Sequence, residues 1–288
     1  MKKNLITTAM LLSLSAFAFA GEQTKTELDP VMVYSAYATP VNQDQTASSV
    51  TVLTEKEFAE RNATYVSDVL KTVPGVAMGT SGGRGAVTSL FLRGANSKHT
   101  AVIIDGIRVN PADTNFDFGG LALSNIEQIE VLRGEQSALW GSDAMGGVVY
   151  ITTQSGLYKD KLFNVDFDLG TGSHRTRDGS VTLSGQHHGL YYALHSDSHR
   201  TRGISARSER VFNYTSLSGA KSTNVPATEK DGFHRDNVSM RLGFDDGQKG
   251  VDFLASHSSQ TVHFDNSAAH ERKFDDNTRT RETRYKLS

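Results

Sequence analysis

Hydrophobic and polar positions follow two different rules along this chain. After Gly156 they alternate with a period of two. Phe163, Val165, Phe167 and Leu169 stand against Asn164, Asp166 and Asp168, and Val238, Met240, Leu242 and Phe244 against Ser239, Arg241 and Gly243. Leu190, Tyr192 and Leu194 alternate with Tyr191, Ala193 and His195, and Val251, Phe253 and Ala255 with Asp252, Leu254 and Ser256. Such strands fit a barrel with lipid outside and a wet interior, and they also fit a soluble sandwich. The connections separate the two. Short ones at 187–189 and 245–250 alternate with longer ones at 171–178, 200–235 and 261–281, the rule of outer-membrane barrels.

Before Gly156 the pattern is that of a small mixed domain. Ser49 to Leu53 reads as a strand, and Thr54 with Glu57 as a capping box opening a helix to Arg61. Thr64 is expected to cap a second helix that ends at Val73, ahead of Pro74. Short strands are expected over 76–78, 89–93, 101–104 and 107–109, with a tight turn at Asp105-Gly106. A polar and aromatic loop covers 110–121. A strand at Glu127 to Leu132, a helical turn at Ser137 to Trp140, a glycine-rich turn over 141–147 and a strand at Val148 to Thr152 complete it. Gly146 and Gly147 suit positive φ or close backbone passage. The glycine-rich run 79–85 is a loop between strands. No helix follows it, so it is not a nucleotide-binding loop.

Net charge is −2 with 22% charged residues, which gives no general pull toward nucleic acid. There is no cysteine, so disulfides, thiol catalysis and cysteine-based metal sites are excluded. Lys2 and Lys3, the apolar run from Leu5 to Phe17 and Ala18-Phe19-Ala20 form an export signal over residues 1–20, cleaved after Ala20. Its apolar run is shorter than the roughly 20 residues of a spanning helix. Within 21–47, the segment Asp29, Pro30, Val31, Met32, Val33, Tyr34, Ser35, Ala36 favours extended backbone. It suits either strand addition to another protein's sheet edge or a plain linker.

The residues Leu90-Phe91-Leu92-Arg93-Gly94, Val102 through Asn110, Ile126 through Gly134, and Trp140, Gly141, Ser142, Asp143, Ala144, Gly146, Gly147 and Val148 resemble the TonB-dependent outer-membrane receptors, the vitamin B12 receptor branch above the siderophore receptors. The resemblance implies an α+β plug domain, residues 48–155, followed over 156–288 by all-β antiparallel strands of an incomplete transmembrane β-barrel. It implies that Asp29 to Ala36 is the TonB box, pairing with the inner-membrane energy transducer, although Tyr34-Ser35-Ala36 stands where the family has Val-Thr-Ala. It implies that Arg93 and Arg133 lock the plug to glutamates on the barrel wall. Apical plug loops would meet the ligand through Ser81, Gly82, Gly83, Arg84, Asn96, Ser97, Asn110, Asn115 and Phe116. The implied partners are the TonB protein, outer-membrane lipid and a scarce ligand, cobalamin first, a siderophore or haem otherwise. A binding module of the periplasm or cell surface without transport is the competing class.

The resemblance also implies a much longer barrel, so these residues are expected to be the N-terminal portion of a receptor and not to transport alone. No metal site or cofactor is expected. Acidic residues Asp231, Asp236, Asp265, Asp275 and Asp276 read as solvated loop carboxylates, with calcium there as the minor alternative. His174, His187, His188, His195 and His199 read as solvated, and no motif supports an enzyme.

Overall fold

The computed structural model describes residues 32–37, 39–46, 48–110, 113–157, 161–204, 213–215, 218–223, 230–265 and 275–288. The expected export signal and Asp29, Pro30 and Val31 lie outside them. Two sheets dominate. The first is five-stranded and mixed, in the order β3 (Ser49–Thr54), β8 (Ile126–Arg133), β9 (Gly147–Thr153), β6 (Thr100–Ile104), β7 (Ile107–Arg108). Only β6 and β9 run parallel. A hairpin of β4 (Val76–Thr80) and β5 (Thr88–Leu92) flanks it, and β1 (Met32–Val33) pairs with β2 (Val41–Asn42).

Helix α1 (Glu55–Glu60) starts where the capping box requires: the Glu57 carboxylate accepts the Thr54 N–H at 2.9 Å. Helix α2 (Val66–Leu70) corrects the expected cap. Tyr65, not Thr64, is its N-terminal boundary, because Tyr65 is held extended in a bridge to Ala122 while the Thr64 carbonyl accepts the Leu123 N–H. The helix also stops at Leu70, and tighter bonds from Thr72 to Val69 and Val73 to Leu70 finish the turn before Pro74. Val66, Val69 and Leu70 pack with Leu90, Leu92, Ile129 and Ile151 in the core. Each such buried aliphatic contributes about 1.5–3 kcal/mol.

The second sheet is a six-stranded antiparallel meander, β10 (Asn164–Gly172), β11 (Thr176–His187), β12 (Leu190–Thr201), β15 (Phe233–Asp245), β16 (Gly250–Asp265) and β17 (Asp275–Leu287). Between β12 and β15 lies the hairpin β13 (Asn213–Thr215) and β14 (Lys221–Thr223). The alternation follows the sequence. Val165, Phe167, Leu169, Leu190, Leu194, Val238, Leu242 and Val251 are exposed on one face.

Two expectations fail here. The connection expected to be long at 171–178 is the three-residue turn Ser173–Arg175, because both strands run further than the apolar pattern reaches. The opposite face is also not wet along its length. Tyr191, Ala193, His195, Asp197 and His199 are buried, as are Phe233, Arg235 and Asn237, because that face closes on the first domain. His195 and His199, 3% and 5% exposed, are therefore not solvated.

Candidate functional site

Three places on the first domain bear on function. The first is where Met32–Val33 and the residues after them dock. Glu130, in the middle of β8, is fully buried. Its Oε1 accepts the Tyr34 N–H at 3.0 Å, and its Oε2 accepts the Tyr34 and Ser35 N–H groups at 2.9 and 2.8 Å. Gln128 Nε2 donates to Glu130 Oε1 at 2.9 Å and to the Met32 carbonyl at 2.8 Å. Among the described residues no cation pairs with this carboxylate. The Tyr34 and Ser35 N–H groups and the Gln128 amide compensate the buried charge, and such charge-assisted bonds are about twice as strong as neutral ones.

Aromatic packing completes the dock. Trp140, at the end of α3 (Ser137–Trp140), donates from Nε1 to the Ser35 carbonyl at 2.8 Å. Tyr34 stacks on Tyr150 with centroids 5.8 Å apart, and Trp140 meets Tyr150 edge-on at 5.9 Å. Burial first, then the nearby Asp105 and Glu130 carboxylates, pushes the Tyr150 hydroxyl pKa well up. Arg108 holds the turn that carries Trp140: its Nη2 bonds Asp143 at 2.7 Å, and this bond holds the Asp143 carboxyl below the usual range. Gly147 takes φ +147, and a Cβ there would stand 2.2 Å from the Leu132 carbonyl oxygen. Gly146 has ordinary φ and is needed for passage beside His99 and Ala95.

The second place is a cavity of about 500 Å³ between the β4–β5 loop, α2 and the start of the second sheet. Of the residues expected to meet ligand, Gly82, Gly83 and Arg84 line it. The Arg84 guanidinium lies 4.0 Å from the centre of the Tyr65 ring and 3.5 Å from Asp68 Oδ2. Burial pushes the Tyr65 hydroxyl pKa up, against the pull of Arg84, and the hydroxyl has no hydrogen-bond partner among the described residues. His199 meets Tyr65 edge-on at 4.9 Å and bonds Asp178. The cavity thus joins a cation–π face, carboxylates and histidines, suited to a polar ligand with flat or anionic groups.

The remaining expected contacts lie outside it. Ser81 bonds the Val87 carbonyl, Asn96 caps a short turn at Lys98, and Ser97 is buried. Asn115 is exposed, and Phe116 packs against the core beside Phe118. Asn110 is corrected from a ligand contact to a structural residue. It is 2% exposed, its Oδ1 accepts the Val102 N–H and its Nδ2 donates to the Thr100 carbonyl, so its amide is fully committed.

The third place is the arginine pair. Arg93 takes φ +50 after β5, and Arg133 ends β8. Arg133 donates to Ser49 Oγ at 3.1 Å and the Pro74 carbonyl at 3.0 Å. Burial and then the neighbouring Arg93 guanidinium lower its basicity. Among the described residues neither meets a carboxylate. What ties this domain to the sheet is different: Arg241, held at 2.8 Å by Asp252 of its own sheet, reaches Asp105 at 3.7 Å, Asn125 donates to Ser239, and Lys286 donates to the Asp105 carbonyl. Sequence reasoning missed Glu130 and Arg241. The usable signal for Glu130 was a lone carboxylate between Ile129 and Val131 in a buried run.

Residues 42–148 match the family model described as the TonB-dependent Receptor Plug Domain. The chain is 39% identical over 187 residues to a vitamin B12 transporter, BtuB, of Vibrio vulnificus strain YJ016, covering 65% of this chain and 30% of the relative. A second BtuB, of strain CMCP6, is 32% identical over 64% of this chain and 30% of its own length. The chain thus spans about 30% of the length of these curated relatives. Among solved structures, the ferripyoverdine receptor of Pseudomonas aeruginosa superposes with a TM-score of 0.61 at 15% identity, over 81% of this chain and 28% of that one. The ferric yersiniabactin uptake receptor FyuA of Yersinia pestis gives 0.55 at 23%, over 75% and 32%. These structures share the fold.

Proposed function

We infer, for a chain that belongs to the TonB-dependent receptor family, that it forms the energy-coupled, ligand-gated end of an outer-membrane transport receptor. The observation that carries this reading is the dock of Tyr34 and Ser35 on Glu130. A segment that passes force to a plug needs an extended edge for the partner's strand and a releasable attachment to the plug. Within Asp29 to Ala36, as the TonB box, Met32–Val33 is the extended piece that serves the first, and the Glu130 carboxylate with the Trp140 indole supplies the second. The attachment is made of a few polar bonds and one aromatic stack, so it opens at modest cost and reports on any shift of β8.

At the other end, the cavity with Gly82, Gly83 and Arg84 is the ligand side, with Ser81, Asn96, Ser97, Asn115 and Phe116 as neighbouring loop positions. Identity to the BtuB relatives favours cobalamin as the ligand. Arg93 and Arg133 form a seat for carboxylates from other strands of the receptor, where their planar forks pair bidentately. Export by the signal over residues 1–20 and insertion through the apolar outward face complete the reading. Because the chain has no cysteine, Met32→Cys gives a unique thiol. A cysteine-bearing TonB periplasmic domain should capture it as a disulfide, more so with cobalamin bound. Equal capture by Cys placed at Lys56, on the exposed face of α1, would sink the reading.

A further inference from the structure

Phe233 opens β15 between Thr201 of β12 and Val262 of β16, so a strand on either side fixes its backbone. Its ring turns inward and is 2% exposed. The ring fills a slot that glycine leaves open. A Cβ at Gly85 would stand 2.5 Å from Phe233 Cγ, and one at Gly120 would stand 3.0 Å from Phe233 Cζ. Gly85 also takes φ +81, which a residue with a Cβ adopts only at a cost. Two loops of the first domain thus close around one side chain of the second sheet.

Those loops are stitched to each other behind the ring. Asp117 Oδ1 accepts the Thr88 and Gly119 N–H groups, both at 2.9 Å, and the Phe118 N–H reaches the Thr88 carbonyl at 3.0 Å. Ahead of the ring the β4–β5 loop is thinly packed: Gly82 and Arg84 are exposed, and nothing lies within 4 Å of a Cβ added at Gly83. Phe233 also meets the His199 ring at 5.6 Å, His199 meets Tyr65 at 4.9 Å, and the Arg84 guanidinium lies 4.0 Å over Tyr65. One run of ring contacts therefore leads from β15 to the residue beside Gly85. Dense packing of this kind transmits a displacement where a loose loop would absorb it.

We propose that Phe233 is a positioning residue of the ligand side: seated between Gly85 and Gly120, its ring holds Gly82, Gly83 and Arg84 in the arrangement that meets ligand. This rests on the reading of that cavity as the ligand side. Phe233 itself is buried behind the loop and touches no ligand. Without the ring the loop keeps its base but loses its wedge, and a ligand must then order it on binding.

The chain has no cysteine, so Gly83→Cys and Val238→Cys carry two spin labels, one on the loop and one on the exposed face of β15. In detergent the distance between them should be a single narrow distribution. Phe233→Ala should broaden it, and Phe233→Leu, which keeps part of the wedge, should broaden it less. The control is Leu254→Ala. Leu254 is also buried, but its register row crosses β12 at Ala193, eight residues and about 26 Å of strand from Thr201, so its loss should leave the distance narrow. For ligand, residues 1–288 replace the matching part of a full-length vitamin B12 transporter and cyanocobalamin is the probe. There Phe233→Ala should bind about tenfold more weakly and Leu254→Ala as tightly as the parent. An unbroadened distance in Phe233→Ala, equal broadening in Leu254→Ala, or an equal loss of binding in both would overturn the positioning role. Broadening with unchanged cyanocobalamin binding, or a parent that binds none, would overturn the ligand-side reading, and the proposed role with it.

Discussion

The Glu130 carboxylate holds the Tyr34 and Ser35 backbone N–H groups, residues more than ninety positions earlier in the chain, at 2.8–3.0 Å. A buried charge satisfied only by backbone donors and one amide has no substitute when those donors leave, so dock and charge stand or fall together. Glu130→Ala should free the segment at Tyr34 and cost about 1–3 kcal/mol through the unpaired N–H groups. A spin label at Met32 should become mobile in this variant. Glu130→Gln, which keeps the shape and one acceptor, should give an intermediate spectrum.

Trp140→Phe keeps the ring edge on Tyr150 and removes the donor to the Ser35 carbonyl. The expected loss is about 0.5–1.5 kcal/mol, read as a lower urea midpoint with unchanged slope.

How much of this was legible in the sequence divides by physics. The periods of two and the capping box were, since they are local: β12 and β15 and the start of α1 came out as expected. The helix start at Tyr65 was not, because a bridge to Ala122 decides it. The buried state of His195 and His199 was hidden for the same kind of reason: polar residues facing inward look solvated until the plug fills the space. In the site, Gly82, Gly83 and Arg84 were legible as a loop, whereas Tyr65 and His199, which complete the cavity, come from a helix boundary and a distant strand. Asn110 carries the reverse lesson, a loop polar residue whose amide serves β6.

Gly147→Ala should be severely destabilising. Its φ of +147 is costly for alanine, and its Cβ would meet the Leu132 carbonyl at 2.2 Å and Leu92 at 2.4 Å. A loss of more than about 2 kcal/mol is expected, since strain and overpacking act together. The same change at Gly83, where nothing lies within 4 Å of the added carbon, should be nearly neutral. Thermal unfolding of both variants checks the contrast.

Asp105 joins the two sheets. Its carboxylate accepts Thr153 N–H and Oγ–H at 2.9 and 2.8 Å and faces Arg241 at 3.7 Å. A double-mutant cycle of Asp105→Ala with Arg241→Ala should return a coupling of about 0.5–3 kcal/mol in unfolding. Additive effects would show that the sheets meet there without exchanging energy.

The most direct test of the central claim is uptake. Residues 1–288 would replace the matching part of a full-length vitamin B12 transporter in cells lacking their own, with and without residues 29–36. The account predicts that the chimera takes up cobalamin, and that the deletion abolishes uptake while cobalamin still binds at the cell surface. Undiminished uptake after the deletion would contradict it.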